Sequence, residues 1–143
     1  MSNTDELGAG EAIIVRAAMR LARRLRQAAP STELTGGGLA LLATLYRSGS
    51  MSAATLARSE GLQPQSLSRL LSRMSRDGLI ERTSDAIDKR CQIITVTPRG
   101  LGALNLAMTQ RRRWLTATMA DRLDERERTL LLEAAELMLR IAS

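Results

Sequence analysis

A folded core for this chain has to be built almost without aromatic side chains, because Tyr46 and Trp114 are its only aromatic residues. Apolar residues nevertheless make up 44% of the sequence, mostly Leu, Ile, Ala and Met. Leu, Ala and Met are strong helix formers. The length of 143 residues suits one compact unit with its own core. The sequence therefore predicts a mainly α-helical protein.

The charge balance is strongly basic. The formal net charge is +6 and the pI is near 11.1, and Lys89 is the only cationic residue that is not an arginine. Such a balance predicts a polyanionic partner. A GC-rich genome would also favour arginine codons, so composition alone does not identify the partner.

Several classes of chemistry are disfavoured by what the sequence lacks. It has no histidine, which removes imidazole as a general base. Cys91 is the only cysteine, so an intramolecular disulfide is excluded and a zinc site would depend on carboxylates. Residues 1–11 lack a secretory signal pattern, and arginines interrupt every apolar run. We therefore expect a soluble, cytoplasmic protein with no metal, no cofactor and no membrane partner.

The first helix is predicted by apolar residues that recur in steps of three and four. This stripe indicates a helix over residues 11–29, ended by Pro30. Five arginines, mostly outside the stripe, form a basic face that either lies in solvent or contacts the DNA backbone. The stripe consists of Ile14, Ala18, Leu21, Leu25 and Ala28, and the arginines are Arg16, Arg20, Arg23, Arg24 and Arg26.

Capping residues delimit the next helices. Thr35 is expected to cap a helix through Leu39–Tyr46, with a first turn weakened by Gly36–Gly38 and an end at Gly49.

Ser52 is the expected N-cap of a short helix over residues 53–60. Gly61 then supplies a turn, Pro64 opens a helix that extends to about Asp77, and Gly78 ends it.

The pattern changes after Gly78. Residues 79–82 and 91–97 are predicted strands, and the charged residues 83–90 join them as a hairpin. Thr97 and Pro98 open a long helix, residues 121–124 interrupt it, and the last helix covers residues 125–141.

Residues 53–74 have the spacing of a helix-turn-helix. Two helices that cross steeply through a short turn need a small contact residue and a glycine at the turn, here Ala57 and Gly61. Glu60 is a departure, because this inward position is usually apolar. The inward apolar residues are Leu56, Leu62, Leu67 and Leu70.

The second of these helices has an outward face suited to DNA. With Leu67, Leu70, Leu71 and Met74 inward, the opposite face carries short polar side chains and arginines, with no acid before Asp77. Such side chains reach base edges and phosphates in a major groove about 12 Å wide. A helix face that only contacts solvent would usually carry acidic residues among its arginines. This outward face consists of Gln65, Ser66, Ser68, Arg69, Ser72, Arg73 and Arg76.

The hairpin completes a winged helix and resembles a known family signature. Arg82, the Asp88-Lys89-Arg90 element and then Val96-Thr97-x-x-Gly100 resemble the wing of the MarR family, in which an Arg, D-x-R and L-T-x-x-G follow one another. Val96 replaces the usual Leu. Gly36–Gly38 stand where the family often has a bulkier segment. The resemblance covers nearly the whole chain.

The resemblance implies roles for individual residues. Arg90 matches an arginine that enters the minor groove, and Arg69 matches one that contacts bases or phosphate. Asp88 matches an acid that orients the wing arginine, although it could equally close the hairpin turn. The predicted DNA-binding residues are Ser52, Gln65, Ser66, Ser68, Arg69, Ser72, Arg73, Asp88, Lys89 and Arg90.

The predicted fold is mainly α with a small β-hairpin wing, divided by role. Residues 1–34 form an N-terminal arm and dimerisation helix, residues 35–97 the winged helix-turn-helix domain, and residues 98–143 the C-terminal dimerisation helices. The terminal stripes need a partner to bury them, and a two-fold homodimer would provide it. It would space two recognition helices about 34 Å apart along the DNA.

The predicted function is a sequence-specific regulator of transcription that binds double-stranded DNA. The resemblance further implies a ligand-responsive repressor with a small anionic or phenolic effector between the dimer helices and the winged helix. The alternative is a winged helix that binds only proteins, and no constellation of residues supports an enzyme. Cys91 is interpreted as structural, because relatives that sense oxidants carry their cysteine near the N-terminus.

Overall fold

The computed structural model describes residues 3–29, 34 and 36–143. The predicted fold class is confirmed: these described residues form six helices and one small three-stranded antiparallel sheet. In chain order the elements are α1 (Asn3–Gln27), α2 (Gly36–Ser48), β1 (Met51–Ser52), α3 (Ala53–Glu60), α4 (Pro64–Arg76), β2 (Ile80–Ser84), β3 (Gln92–Val96), α5 (Pro98–Arg122) and α6 (Glu125–Ile141).

Helix α1 is longer at its start than the apolar stripe predicts. It begins at Asn3 rather than at residue 11, and it ends at Gln27 rather than at residue 29. Apolar periodicity marks only the part of a helix that has a face to bury, so polar first turns give no such signal. The predicted stop at Pro30 and the predicted cap at Thr35 lie outside the described residues.

The predicted turn and cap residues around α3 and α4 are confirmed. The Ser52 hydroxyl accepts a hydrogen bond from the backbone N–H of Thr55 at 3.1 Å, which caps α3. Gly61 and Gly78 adopt φ of 61° and 74°, a left-handed conformation that costs glycine little. Pro64 occupies the first turn of α4, where its missing N–H is not needed.

The sheet has one more strand than the sequence indicates. β3 lies between β1 and β2, with Ile94 opposite both Met51 and Arg82. A strand of two residues carries no alternation that could reveal it. β2 also extends to Ser84 instead of ending at Arg82, because pairing with Ile93 and Gln92 continues into the polar segment.

Helices α5 and α6 are separated by a shorter break than predicted. Asp121 remains helical, and α5 ends at Arg122. Asp124 then caps α6: its side chain accepts from the Glu127 backbone N–H at 2.8 Å, and the Glu127 side chain accepts from the Asp124 N–H at 2.9 Å. This reciprocal pair satisfies two free donors at the helix start and sets where α6 begins.

The chain divides into two compact units rather than the expected single one. One comprises residues 29–109, and the other comprises residues 1–28 and 110–143, here called the helical arm. The first holds one continuous apolar core from α2, α3, α4, the sheet and the start of α5. Its most deeply buried large side chains are Leu41, Leu42, Leu56, Leu79, Ile80 and Ile94.

The helical arm has no such core among its described side chains. In residues 8–28 and 110–143 every side chain is at least partly exposed. Large apolar side chains of α6 are prominently exposed, including Leu132 at 62% and Leu139 at 70%. In the part of the chain that the structure describes, no helix has the length and apolar character required to cross a membrane.

Candidate DNA-binding surface

The turn between α3 and α4 is fixed by backbone hydrogen bonds. The N–H of Leu62 donates to the carbonyl of Ala57 at 2.9 Å, and the N–H of Gly61 donates to that of Arg58 at 3.3 Å. Ala57 is only 8% exposed, so a larger side chain would separate the two helices. The predicted helix-turn-helix geometry is therefore present, and it orients α4 outward from the core.

Glu60, the departure from the usual apolar pattern, has a structural partner. The hydroxyl of Thr44, a buried polar residue of α2, donates a hydrogen bond to a carboxylate oxygen of Glu60. A buried hydroxyl without a partner would be costly, and the carboxylate supplies that partner. Glu60 thus ties α3 to α2 instead of filling the core.

Helix α4 presents the two faces that the sequence predicts. Leu67, Leu70, Leu71 and Met74 are all buried. The opposite face is exposed and carries every α4 residue predicted to contact DNA. These exposed residues are Gln65, Ser66, Ser68, Arg69, Ser72, Arg73 and Arg76.

One side chain links α4 to the wing. Arg82 on β2 donates from Nη2 to the Ser72 hydroxyl on α4 at 3.2 Å. Its Nε is buried and has no hydrogen-bond partner. Ser72 is therefore already engaged within the protein, and sequence reasoning missed Arg82 as a positioning residue, although its place before the D-x-R element was noted.

Ser52 also has a structural task. Besides accepting from the Thr55 N–H, its hydroxyl donates to the Thr55 hydroxyl at 2.9 Å. The side chain is half-buried beside β3. Its predicted DNA contact stays a prediction, whereas its capping role is evident from the geometry.

The wing loop is shaped by two aspartates. Asp85 Oδ1 accepts from the Ile87 N–H at 3.1 Å, and Asp88 Oδ1 accepts from the Arg90 N–H at 3.0 Å. Each is an Asx turn, in which a short acidic side chain holds the backbone two residues further on. Between the two open interpretations of Asp88, this geometry supports closure of the turn.

The basic side chains of the wing remain accessible. Lys89 and Arg90 are exposed, and within the described residues no ion pair joins the Arg90 guanidinium to Asp88. Ile87 is 96% exposed between the two Asx turns. Sequence reasoning did not single out Ile87, because one apolar residue in a polar loop forms no pattern.

Cys91 lies at the base of the wing and donates from Sγ to Asp88 Oδ2 at 3.7 Å. The negative charge of Asp88 raises the pKa of the Cys91 thiol, and burial, this hydrogen bond and the charge of Asp85 act in the same direction. A raised pKa lowers the thiolate fraction and hence the reactivity of the sulfur. The environment thus supports the structural interpretation of Cys91.

The wing is anchored to the start of α5 through Thr97. Its hydroxyl donates to the Gly78 carbonyl at 2.6 Å and accepts from the Gly100 N–H at 3.0 Å, and its own N–H donates to the Leu79 carbonyl at 3.1 Å. A Cβ on Gly100 would lie 2.0 Å from the Leu79 oxygen. The T-x-x-G spacing therefore has a direct steric reason.

Comparison with known proteins identifies relatives along most of the chain. The family model described as "MarR family" matches residues 34–92. An HTH-type transcriptional regulator of Mycobacterium tuberculosis is 34% identical over 123 residues, which cover 86% of this chain and 85% of that protein.

Solved structures show the same fold. One, described as a transcriptional regulator from Pseudomonas aeruginosa PA01, is 30% identical with a TM-score of 0.82 and covers 100% of this chain and 99% of that one. Another is Bordetella bronchiseptica BpsR, whose DNA binding is regulated by 6-hydroxynicotinic acid. It is 19% identical with a TM-score of 0.70, covering 91% of this chain and 98% of that one.

Proposed function

The chain belongs to the MarR family and is a DNA-binding transcription regulator, and from this premise we propose that it acts as a homodimer that reads an operator with α4 and the wing. One observation carries the proposal. The exposed face of α4 contains arginines and short polar side chains with no carboxylate over Pro64–Arg76, beside an exposed basic wing. A surface of this kind suits a major groove and the adjoining backbone.

The exposed apolar side chains of the helical arm support the proposal of a dimer. A unit in which no described side chain is buried cannot offset the entropy of ordering its own helices. Burying apolar surface contributes about 25 cal/mol per Å², so the exposed apolar side chains of α1 and α6 favour association with a second copy. A two-fold axis would then place two α4 helices on the same side of the DNA. The proposed roles are residues 1–34 and 98–143 for dimerisation and residues 35–97 for DNA. Leu34 and the start of α5, with Leu104 and Ala107, nevertheless pack in the core of the unit that carries α4 and the wing.

Within the DNA-binding surface, the residues have different tasks. Arg69 and Arg73 would contact bases or phosphates in the major groove, together with Gln65, Ser66 and Ser68. Arg90 and Lys89 would reach the minor groove, where narrow A·T-rich segments attract guanidinium groups. Asp88 and Ser72 would act indirectly, since Ser72 accepts a hydrogen bond from Arg82 and Asp88 accepts one from the backbone N–H of Arg90.

The DNA interface is tested by Arg69→Ala. Binding to a duplex from the protein's own upstream region should weaken by about 1–3 kcal/mol, while binding to random DNA changes much less. Glu81→Ala is a suitable control, because Glu81 is exposed on β2 outside the proposed surface. An equal loss on both DNAs would reassign Arg69 to phosphate contact. No measurable binding by the wild-type protein would favour the protein-interaction alternative.

We further propose that the protein represses transcription and that a small aromatic acid regulates its binding to DNA. The resemblance implies a cleft between the dimer helices and the winged helix, whereas the groove proposed here lies within the winged helix. It has a volume of about 660 Å³ and lies between α3, α4 and the sheet, with Leu62, Pro64 and Leu67 on its apolar side and Arg82 on its polar side. Arg82 lines this groove, and its guanidinium supplies the positive charge that would pair with a carboxylate. BpsR, similar in fold, responds to such an acid.

A thermal-shift series with aromatic acids, including 6-hydroxynicotinic acid, tests the effector. The wild-type protein should be stabilised, and Arg82→Gln should lose most of this shift. An unchanged shift in Arg82→Gln would place the effector elsewhere.

A further inference from the structure

The loop at the end of the wing carries an isoleucine whose side chain is almost entirely exposed. Ile87 lies in the segment 85–91 that joins β2 to β3, and at 96% it is the most exposed of the large apolar side chains that the structure describes. Single exposed apolar residues are common on protein surfaces. Exposure alone therefore assigns no role to Ile87, and the surroundings of the residue have to decide.

The conformation of this loop is fixed by its own hydrogen bonds. The N–H of Asp85 donates to the carbonyl of Cys91 at 2.9 Å, and the N–H of Cys91 donates to the carbonyl of Asp88 at 3.0 Å. The N–H of Ile87 itself donates to Asp85 Oδ1 at 3.1 Å. A side chain on a restrained backbone loses less conformational entropy when a partner covers it. The loop therefore presents Ile87 in a preformed conformation.

The charges of the loop are divided between engaged acids and accessible cations. The Asp85 carboxylate accepts from the Ile87 N–H, and the Asp88 carboxylate accepts from the backbone N–H two residues further on. The side chains of Lys89 and Arg90 are exposed, and among the described residues neither has a hydrogen-bond or ion-pair partner. The partner that suits this loop is a polyanion with apolar surface next to its charges.

Duplex DNA offers both kinds of contact in its minor groove. Phosphates border the groove and deoxyribose forms its apolar walls, and proteins that bind there frequently insert isoleucine or another apolar side chain beside their arginines. A second copy of this chain fits less well, because its net charge of +6 opposes Lys89 and Arg90. Charge complementarity and the position of Ile87 next to the proposed DNA contacts of the wing therefore favour DNA.

We propose that Ile87 is an apolar DNA contact, whose side chain packs against deoxyribose in the minor groove beside Arg90. The inference rests on the proposed contact of the wing with DNA, and it adds a residue and a second kind of interaction to that contact. The attraction of Arg90 to DNA weakens as salt is added, whereas the burial of apolar surface by Ile87 does not depend on counterion release. The two contributions are therefore separable by experiment.

Salt dependence separates them. Affinity for a duplex from the protein's own upstream region is measured at several salt concentrations. Ile87→Ala should weaken binding about tenfold at each of them and leave the slope of log affinity against log salt unchanged. Arg90→Ala should make that slope shallower by about 1. Wild-type affinity for Ile87→Ala beside weakened binding by Arg90→Ala would overturn the role of Ile87 alone. Wild-type affinity for both variants would overturn the wing contact itself.

Ile87→Val and Ile87→Thr form a matched pair, since both side chains are β-branched and of similar size. The valine variant should stay within about threefold of wild-type affinity, whereas the threonine variant should bind about tenfold more weakly, because a hydroxyl replaces a methyl group in the contact. Ala86→Ser, at the exposed neighbouring residue, is the control and should change affinity less than about twofold. Equal affinities for valine and threonine at position 87 would overturn the apolar contact.

A base exchange locates the contact on the DNA. Two duplexes carry guanine or inosine at the same flanking positions; inosine lacks the 2-amino group in the minor groove and keeps the major-groove acceptors of guanine. The wild-type protein should bind the inosine duplex more tightly, and Ile87→Ala should gain less from the exchange. Equal gains would place Ile87 outside the minor groove and overturn the proposal. Altered self-association of Ile87→Ala in sedimentation, with unchanged DNA affinity, would assign Ile87 to a second copy and also overturn it.

Discussion

Gly100→Ala should be among the most damaging single-methyl additions in this protein. The new Cβ would lie 2.0 Å from the Leu79 oxygen, 3.0 Å from the Leu79 carbonyl carbon and 3.1 Å from Val96 Cγ1. Ordinary contact requires at least about 3.4 Å, so the backbone at Leu79 or at α5 has to move by more than 1 Å. Both are backbone segments, and moving them costs more free energy than moving the end of a flexible side chain.

The expected loss of stability follows from what that movement breaks. The Leu79 carbonyl accepts from the Thr97 N–H, and Thr97 also bonds to Gly78 and Gly100. Two such hydrogen bonds contribute about 1 kcal/mol each, and overpacking of a buried site costs about 1–3 kcal/mol. Alanine regains about 0.5–1 kcal/mol of helix propensity. The net destabilisation should be about 2–4 kcal/mol.

Gly102→Ala is the matched control, because Gly102 lies on the same helix and a Cβ added there would meet nothing within 4 Å. It should stabilise the protein by up to about 1 kcal/mol. Urea denaturation followed by far-UV circular dichroism, at one fixed protein concentration, measures both variants. Equal denaturation midpoints for the two variants would refute the steric argument.

Four further predictions concern the arm and the wing. Leu137→Arg should shift the protein toward monomer or aggregate in sedimentation, because an unpaired charge would enter the proposed interface; an unchanged dimer would contradict this. Arg90→Ala should weaken binding most on operators with A·T-rich flanks, with Arg90→Lys restoring only part, and a double-mutant cycle with Asp88→Ala should show little coupling beyond the effect of the turn. Asp88→Asn, which preserves the Asx turn, should keep near wild-type DNA affinity; a large loss would indicate that the carboxylate charge orients Arg90. Iodoacetamide should alkylate Cys91 slowly, with a rate profile displaced to higher pH than that of an ordinary thiol, since the raised pKa keeps the sulfur protonated; fast alkylation at neutral pH would contradict the effect of Asp88.

The boundaries of the helix-turn-helix were predictable because their causes are local. Ser52 caps a helix through an N–H three residues away, and Gly61 and Gly78 adopt positive φ because each lacks a Cβ. Burial of one face of α4 follows from the spacing of its leucines. The sequence also revealed the motif order that resembles the MarR family, which the comparisons confirm.

Other features depended on residues that are distant in sequence. The pairing of β1 with β3, the hydrogen bond from Thr44 to Glu60 and the link from Arg82 to Ser72 all join different elements. The spacing of residues within one element does not show which residue of a distant element each of them contacts. The length of α1 was missed for a related reason, because its polar start has no buried face.

The sequence by itself determined where α3, α4 and α6 begin and end, which side of α4 faces outward and that the chain is a basic, mainly helical winged helix. Tertiary structure decided which side chains are already engaged and which are free to act. The folded chain shows that Asp88 forms a turn, that Ile87 is exposed and that arginines of α1 lie around the same groove as Trp114. Local conformation depends on neighbouring residues and can be predicted from them, whereas a site depends on side chains from separate elements, whose distances only the folded chain establishes.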